Sequence, residues 1–350
     1  MTEGPDTEQR DALIAYLQSV GFSDEQIAAG GDSLLGLAPR RVLFGDETRV
    51  TIAEIAAKVG CDESLVRRVR LASGLPDVGD HAACSPREVE VMTSFLLGAE
   101  LFGEEVTLQF LRVVGAATAG VAEAALATFA SNLRVPLVEG GADLVDIARA
   151  GAEATAALLA VPPVLDVLLR VHFANASAGR FAGADPSPLV EVAVGFVDLV
   201  QSTELTLSRS GEALARALSD FEGHASDVVV GVGGRIVKRI GDAVMFVTSD
   251  AQAACAAATS ILDAVAAHPQ LSTARGAVTW GHVLPRDGDY FGAAVNLAAR
   301  AVALAEPGAI VVSSEVAEKL DPDLWLVTAL GEQSLKGFDD PVTLFQIGSA

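Results

Sequence analysis

The hydrophobic period of the chain changes once, across residues 174–190, and this limits the fold to two domains of different class. Before that point apolar residues recur at helical spacing: Leu13, Ile14, Leu17 and Val20, then Ile52, Ile55, Ala56 and Val59. The same spacing returns at Val89, Met92, Phe95 and Leu96, and at Leu158, Leu159, Leu165 and Leu168. Gly30-Gly31, Gly74-Leu75-Pro76 and Gly140-Gly141 punctuate these runs as turns. The pattern predicts an all-α domain over 1–173, with seven or eight helices. Residues 174–190 are rich in Ala, Gly, Ser and Pro and read as a linker.

Beyond the linker, short β-branched runs alternate with helical ones. Val192–Val197 reads as a buried strand and Glu204–Val230 as a long helix. Arg235–Ile240 and Ala243–Val247 read as strands joined by a tight turn at Gly241-Asp242. A helix over Ala251–Ala267, a strand over Thr273–Leu284 and a helix over Ala293–Ala305 follow, with closing strands at Ile310–Ser313, Leu324–Leu330 and Leu344–Ile347. The order β-α-β-β-α-β is the split βαβ, or ferredoxin-like, arrangement. The expected whole is an α+β chain of two domains, with the second over 191–350.

Composition narrows the function classes. A net charge of −22 disfavours nucleic acid and anionic lipid as partners, and an anionic substrate would need bound cations or a few well-placed basic side chains. The longest charge-free stretches, 12–23, 154–165 and 251–262, hold only 12 residues each, against about 20 for a membrane-spanning helix. No membrane segment is expected. The acidic start (Glu3, Asp6, Glu8, Asp11) is unlike a signal peptide, so a soluble, cytoplasmic protein is expected. Cys61, Cys84 and Cys255 show no paired or metal-ligand spacing, which fits a reducing compartment without structural zinc.

The residues that carry chemistry lie in the second half. Asp198 closes the first strand, and Asp242 sits in the hairpin turn. Two carboxylates at strand ends make a hard-oxygen site suited to Mg²⁺, although a turn aspartate and a helix N-cap account for them equally well one at a time. Lys238 is one of only four lysines in the chain. Strand alternation puts it opposite Arg239, so one of the two faces a core or an interface and needs a partner, unless Lys238 simply snorkels at an edge. Asn296 and Arg300, at i and i+4, share a helix face, and such an amide and guanidinium suit a ribose and a phosphoryl group. Asp289 stands seven residues before Asn296.

Taken together, Gly195-Phe196-Val197-Asp198-Leu199-Val200, Ile236–Met245, Gly288–Arg300 and Ser334-Leu335-Lys336-Gly337-Phe338 resemble the catalytic homology domain of the class III nucleotidyl cyclases over residues 191–350. The resemblance implies two divalent cations, Mg²⁺ or Mn²⁺, held by Asp198 and Asp242. It implies Lys238 and Asp289 as the pair that reads the adenine edge, so ATP rather than GTP as substrate and cyclic AMP with pyrophosphate as products. Asn296 corresponds to the ribose-orienting asparagine, Arg300 to the arginine at the α-phosphate and Lys336 to a lysine at the triphosphate tail. Many members have Gly-Phe-Thr where this chain has Gln201-Ser202-Thr203; Thr203 keeps the last position, while the missing glycine alters the phosphate loop. In the family the metal aspartates come from one catalytic domain and the other groups from its partner, which implies a head-to-tail homodimer with two composite sites. All six principal positions are filled, which weighs against a scaffold that has lost catalysis.

The helical half supports an alternative. Val50–Gly60 followed by Ser64–Arg70 looks like a helix-turn-helix whose Arg67, Arg68 and Arg70 could meet phosphates, so a DNA-binding regulator with a cyclase-like sensor is the second reading. The order of helical domain, linker and catalytic domain resembles instead the soluble bacterial cyclases with an autoinhibitory and, in some members, pH-responsive N-terminal domain. His172, just before the linker, and His224, in the long catalytic helix, are the candidate pH sensors. A proton or a small apolar ligand would be the effector.

Overall fold

The computed structural model describes residues 7–180, 187–200 and 211–350. The chain divides into two compact units, Met1–Ala184 and Asp185–Ala350.

Helices make up the regular structure of the first unit's described residues, apart from an isolated bridge between Val50 and Cys84. Its helices are α1 (Thr7–Ser19), α2 (Asp24–Gly30), α3 (Leu37–Phe44), α4 (Ile52–Val59), α5 (Glu63–Ala72), α6 (Glu88–Phe102), α7 (Glu104–Phe129), α8 (Val135–Glu139), α9 (Leu144–Leu158) and α10 (Val161–Arg180). That exceeds the seven or eight read from periodicity, because segments as short as α2 and α8 span too few turns to show a period. Local chemistry fixes several starts. At α4, the Thr51 hydroxyl accepts from Glu54 N (3.1 Å), and the Glu54 carboxylate accepts from Thr51 N (2.7 Å) in return, while Gly60 ends the helix in the left-handed region (φ 74°). Two cores form: Ile52, Ile55, Val66, Val69, Met92, Phe95 and Leu108 in one, and Leu13, Leu17, Ile27, Leu34, Ala38 and Ala148 in the other.

Two stretches of this unit bear on the expectation that no helix spans a membrane. The helical stretches Glu104–Glu139 and Leu144–Ala176 are long and apolar enough to cross a membrane by length and composition. Counting charge-free residues missed them because isolated charges such as Glu123 and Asp166 interrupt each run without making it polar overall. Many of their large side chains, among them Val106, Phe110, Leu126, Leu169 and Phe173, are exposed.

The second unit is built on one sheet with strands β1 (Val190–Val200), β2 (Arg235–Ile240), β3 (Ala243–Thr248), β4 (Thr273–Arg286), β5 (Asp289–Phe291), β6 (Ile310–Ser313), β7 (Trp325–Gln333) and β8 (Val342–Ser349). The order is β2-β3-β1-β4-β6-β8-β7, with β5 pairing β4 outside this path. Only β4 and β6 run parallel. The helices are α11 (Gly211–Gly231), α12 (Ala251–Ala267), α13 (Ala293–Ala301) and α14 (Ser314–Ala317). The sequence β1-α11-β2-β3-α12-β4, with spatial order β2-β3-β1-β4, is the ferredoxin-like plan. Alternation along β1 separates two cores. Ala193 and Val197 join Ala254, Ala258 and Ile261 of α12, whereas Val194 and Phe196 join Leu297 and Ala298 of α13. Small residues let α12 lie close to the sheet. Its Cys255 is fully buried, and burial pushes the thiol up to about 12.

Candidate active site

Asp198 lies at the end of β1 that meets the β2–β3 turn. It is cross-strand neighbour to Ala243, and Leu199 N donates to the backbone oxygen of Asp242 (3.4 Å). The two candidate metal aspartates therefore come from adjacent strand ends. The turn between them needs Gly241 in the left-handed region (φ 63°), which a residue with a Cβ would resist. Both aspartates are half-buried. Asp198 Oδ2 accepts from Arg275 Nε (3.0 Å) and Nη2 (2.9 Å), while its Oδ1 and the Asp242 carboxylate have no hydrogen-bond partner among the described residues. These free carboxylate oxygens fit a divalent cation whose remaining ligands come from phosphate and water. Among the described residues no group of three or more His, Cys, Asp or Glu side chains could hold a metal by itself.

A second pair forms across β2 and the β4–β5 hairpin. The Lys238 ammonium contacts the Asp289 carboxylate. Asp289 Oδ1 also accepts from Tyr290 N (2.7 Å), which orients the carboxylate. Beside them the Arg235 guanidinium lies 5.2 Å from the Tyr290 ring centre and donates to Gly288 O (3.2 Å). Alternation on β2 sends Arg239 the other way, to Glu222 of α11 (3.0 Å).

Asn296 and Arg300 stand on the outer face of α13, exposed and without a side-chain partner among the described residues, while Ala294, Leu297, Ala298 and Ala301 are buried beneath them. The helix is fixed at its base by Thr279 Oγ1 donating to Ala294 O (2.8 Å). The Ala293–Ala305 helix expected from periodicity stops at Ala301 and tightens into a 3₁₀ turn over Val302–Leu304. Lys336 is exposed in the β7–β8 connection, next to Gly337 at φ 90°. Thr203 lies outside the described residues. His172 is exposed on α10, and His224 is exposed on α11 at the rim of a groove of about 230 Å³, whose floor is Phe221, Ile261, Val265 and Leu271. His268, across that groove, is 3.5 Å from Asp220.

The arginines of the helix-turn-helix segment are already engaged. Arg67 pairs with Asp77 (2.6 Å) and Asp80 (2.9 Å), Arg68 contacts Glu104 and meets Glu105 (2.6 Å), and Arg70 is buried against Glu88. Their charge is neutralised by carboxylates of the same chain, which leaves little to offer a phosphate backbone.

Sequence reasoning missed Arg275. A lone arginine between Ala274 and Gly276 in a strand gave the only local hint, and its partner is 77 positions away.

Comparison with known proteins adds an independent line. Residues 2–176 match the adenylate cyclase regulatory domain family, and residues 185–349 match the adenylate and guanylate cyclase catalytic domain family. An uncharacterized protein of Mycobacterium tuberculosis is 34% identical over 344 residues, covering 97% of this chain and 90% of its own. An adenylate cyclase of Streptomyces coelicolor is 32% identical, covering 83% of this chain and 76% of its own. A pH-sensitive adenylate cyclase of Mycobacterium tuberculosis is 29% identical, covering 97% and 88%.

Proposed function

The chain belongs to the class III adenylate and guanylate cyclases, with an adenylate cyclase regulatory domain ahead of the catalytic one, and from that premise we propose that it converts ATP to 3′,5′-cyclic AMP and pyrophosphate at two sites shared between the subunits of a homodimer. The observation that carries this reading is the adjacency of Asp198 and Asp242 at neighbouring strand ends, with carboxylate oxygens free for cations.

Adenine presents an acceptor at N1 and a donor at its exocyclic amine. Lys238 donates to the first, and Asp289 accepts from the second. Guanine offers the reverse pattern at these positions, so the pair favours ATP. Asn296 orients the ribose, and Arg300 donates to the α-phosphate oxygens as their charge grows. Lys336 and Thr203 meet the triphosphate. Asp198 and Asp242 would hold two divalent cations, Mg²⁺ or Mn²⁺, which would make the ribose 3′-hydroxyl more acidic and neutralise the phosphates. The 3′-hydroxyl gives its proton to water or to a substrate phosphate oxygen as the 3′-oxygen bonds to the α-phosphorus, the bond from the α-phosphorus to the bridging oxygen breaks, and pyrophosphate leaves. Asn296 and Arg300, exposed and without a side-chain partner among the described residues, support a site completed by a second copy.

In this reading residues 1–173 form the regulatory domain and 191–350 the catalytic domain, while the linker expected over 174–190 is shorter, because α10 continues to Arg180 and β1 begins at Val190. The helical domain shifts the dimer between inactive and assembled catalytic arrangements, with protons as effector and His172 and His224 as sensors; the pH-sensitive relative supports this. The enzyme works in the cytoplasm, where ATP is available and three free cysteines stay reduced.

The test is to incubate the full chain with ATP or GTP and either Mg²⁺ or Mn²⁺ and to identify the product. Cyclic AMP from ATP, abolished in Asp198→Ala and Asp242→Ala, is expected. A wild-type protein that makes no cyclic nucleotide overturns the proposal. Replacing His172 and His224 by Asn should shift the dependence of rate on pH; unchanged profiles remove the two histidines as sensors.

A further inference from the structure

The groove of about 230 Å³ between α11 and α12 lies on the sheet face away from α13. Alternation along β1 separates it from the candidate active site: Ala193 and Val197 point toward α12, whereas Asp198 has the opposite parity and points toward α13. Its floor is apolar, made by Phe221, Ile261, Val265 and Leu271. A dry apolar cavity of about 150 Å³ holds a benzene ring, so this larger, open groove has room for one ring with a short chain. Among the described residues that line it, Asp220 alone carries a formal charge when His224 and His268 are neutral. Gln270 N donates to His268 Nδ1 (3.2 Å), which puts the proton of the neutral ring on Nε2, and Nε2 stands 3.5 Å from Asp220 Oδ2. At that length the contact is weak, and the Asp220 side chain is 68% exposed. One end of an apolar groove therefore carries a carboxylate whose charge is left uncompensated, and whose second oxygen has no partner among the described residues.

We propose that this groove is a separate binding site for a small aromatic primary amine: the ring lies on Phe221, Ile261, Val265 and Leu271, and the ammonium donates to Asp220. Charge sets the class of ligand. A carboxylate of the same shape would meet Asp220 in a chain of net charge −22, and an alcohol would gain no ion pair. An occupant bridges α11 and α12. The second of these helices packs on β1 through Ala254, Ala258 and Ile261, and the first leads through Gly233 and Gly234 into β2. The ligand thus ties together the helices behind the strand that carries Asp198 and the strand that carries Lys238. The site goes beyond the cyclase reading and does not depend on it.

The test uses the full chain with 2-phenylethylamine, 2-phenylethanol and 3-phenylpropionate, which share a ring and differ in charge. Binding is read by saturation-transfer NMR titration and by melting temperature. The amine should bind saturably, raise the melting temperature with its concentration, and bind at least about 10-fold more tightly than the alcohol or the acid. Asp220→Asn should remove that preference, and Ala264→Phe, which fills the groove from α12, should abolish binding of the amine. A smaller preference among the three probes, amine binding unchanged in either variant, or no saturable binding overturns the inference. So does displacement of the amine by 3′-deoxy-ATP with Mg²⁺, which would place it in the nucleotide site. Should A264F fail to fold, D220N decides by the same readouts, since Asp220 lies at the surface. Each of these failures leaves the cyclase reading standing, because that reading is decided by the product the wild-type protein makes from ATP.

Discussion

The Lys238 ammonium and the Asp289 carboxylate, 51 positions apart in sequence, meet as an ion pair between β2 and the β4–β5 hairpin. The pair is half-buried, and Tyr290 N further fixes the carboxylate. Removing either should therefore damage both halves of base recognition. Lys238→Met and Asp289→Asn are each expected to lower kcat/KM for ATP by about 10- to 100-fold, the value of a charge-assisted hydrogen bond. GTP turnover should change less, so the ATP-to-GTP ratio falls. A ratio unchanged in both variants would remove the pair from the base-reading role.

How much of this was legible in the sequence depends on whether a feature is local. Asp198 and Asp242 stood out because each follows or joins a β-branched run, and a strand end is a local pattern. Lys238 stood out by rarity and by alternation against Arg239, and the fold gives the two opposite partners, Asp289 and Glu222. Arg275 did not stand out, because its meaning comes from the β1–β4 pairing, which joins residues 77 apart and leaves no mark in either segment. The three-residue β5 was too short to show alternation and appeared only as the flank of Asp289. In the helical half, periodicity found which faces are apolar but not which are covered: Leu159 and Leu165 belong to the apolar face read from the spacing, yet both are exposed.

Shared sites make a complementation prediction. Asp198→Ala and Arg300→Ala should each be inactive alone, because each homodimer lacks one half of both sites. Mixed one to one, half of the dimers carry both variants, and each of those regains one intact site of two. Activity should return to about a quarter of wild type. Dimers that form by mass measurement but regain no activity would rule out sites shared in this way.

The helical half should carry an acid-sensitive stability of its own. Arg87 donates to Glu47 (2.6 Å), and Ser85 Oγ adds a second bond (3.1 Å), so this carboxyl is held below its ordinary range. The Gly79 N–H (3.0 Å) and then Arg67 (2.6 Å) hold Asp77 down in the same way. Both are lowered in the folded state, so their contribution is full above the unfolded carboxylate range, above about pH 5, and is lost as pH falls through their lower folded values. The double variant Glu47→Gln, Asp77→Asn should lose melting temperature less steeply than wild type between about pH 5 and pH 3. Parallel curves would show that these carboxylates add nothing to the pH dependence.

Gly195 ties the core of the catalytic unit to the placement of Asp198. A Cβ built on Gly195 would lie 2.1 Å from the Phe246 Cζ, and Phe246 is itself fully buried between β3 and α12. An added methyl group must therefore either shift the ring or push β1 away from β3. Overpacking of this kind costs about 1–3 kcal/mol. Three residues on, the same strand carries Asp198, so displacement of β1 also moves the carboxylate relative to Asp242. Gly195→Ala should therefore lower the melting temperature of the full chain and reduce kcat together. Adding Phe246→Leu, which shortens the side chain at the point of collision, should recover part of both. If G195A melts like wild type, the close packing of β1 on Phe246 is not what holds the strand; if the double variant regains stability but no activity, the position of Asp198 is not set by this contact.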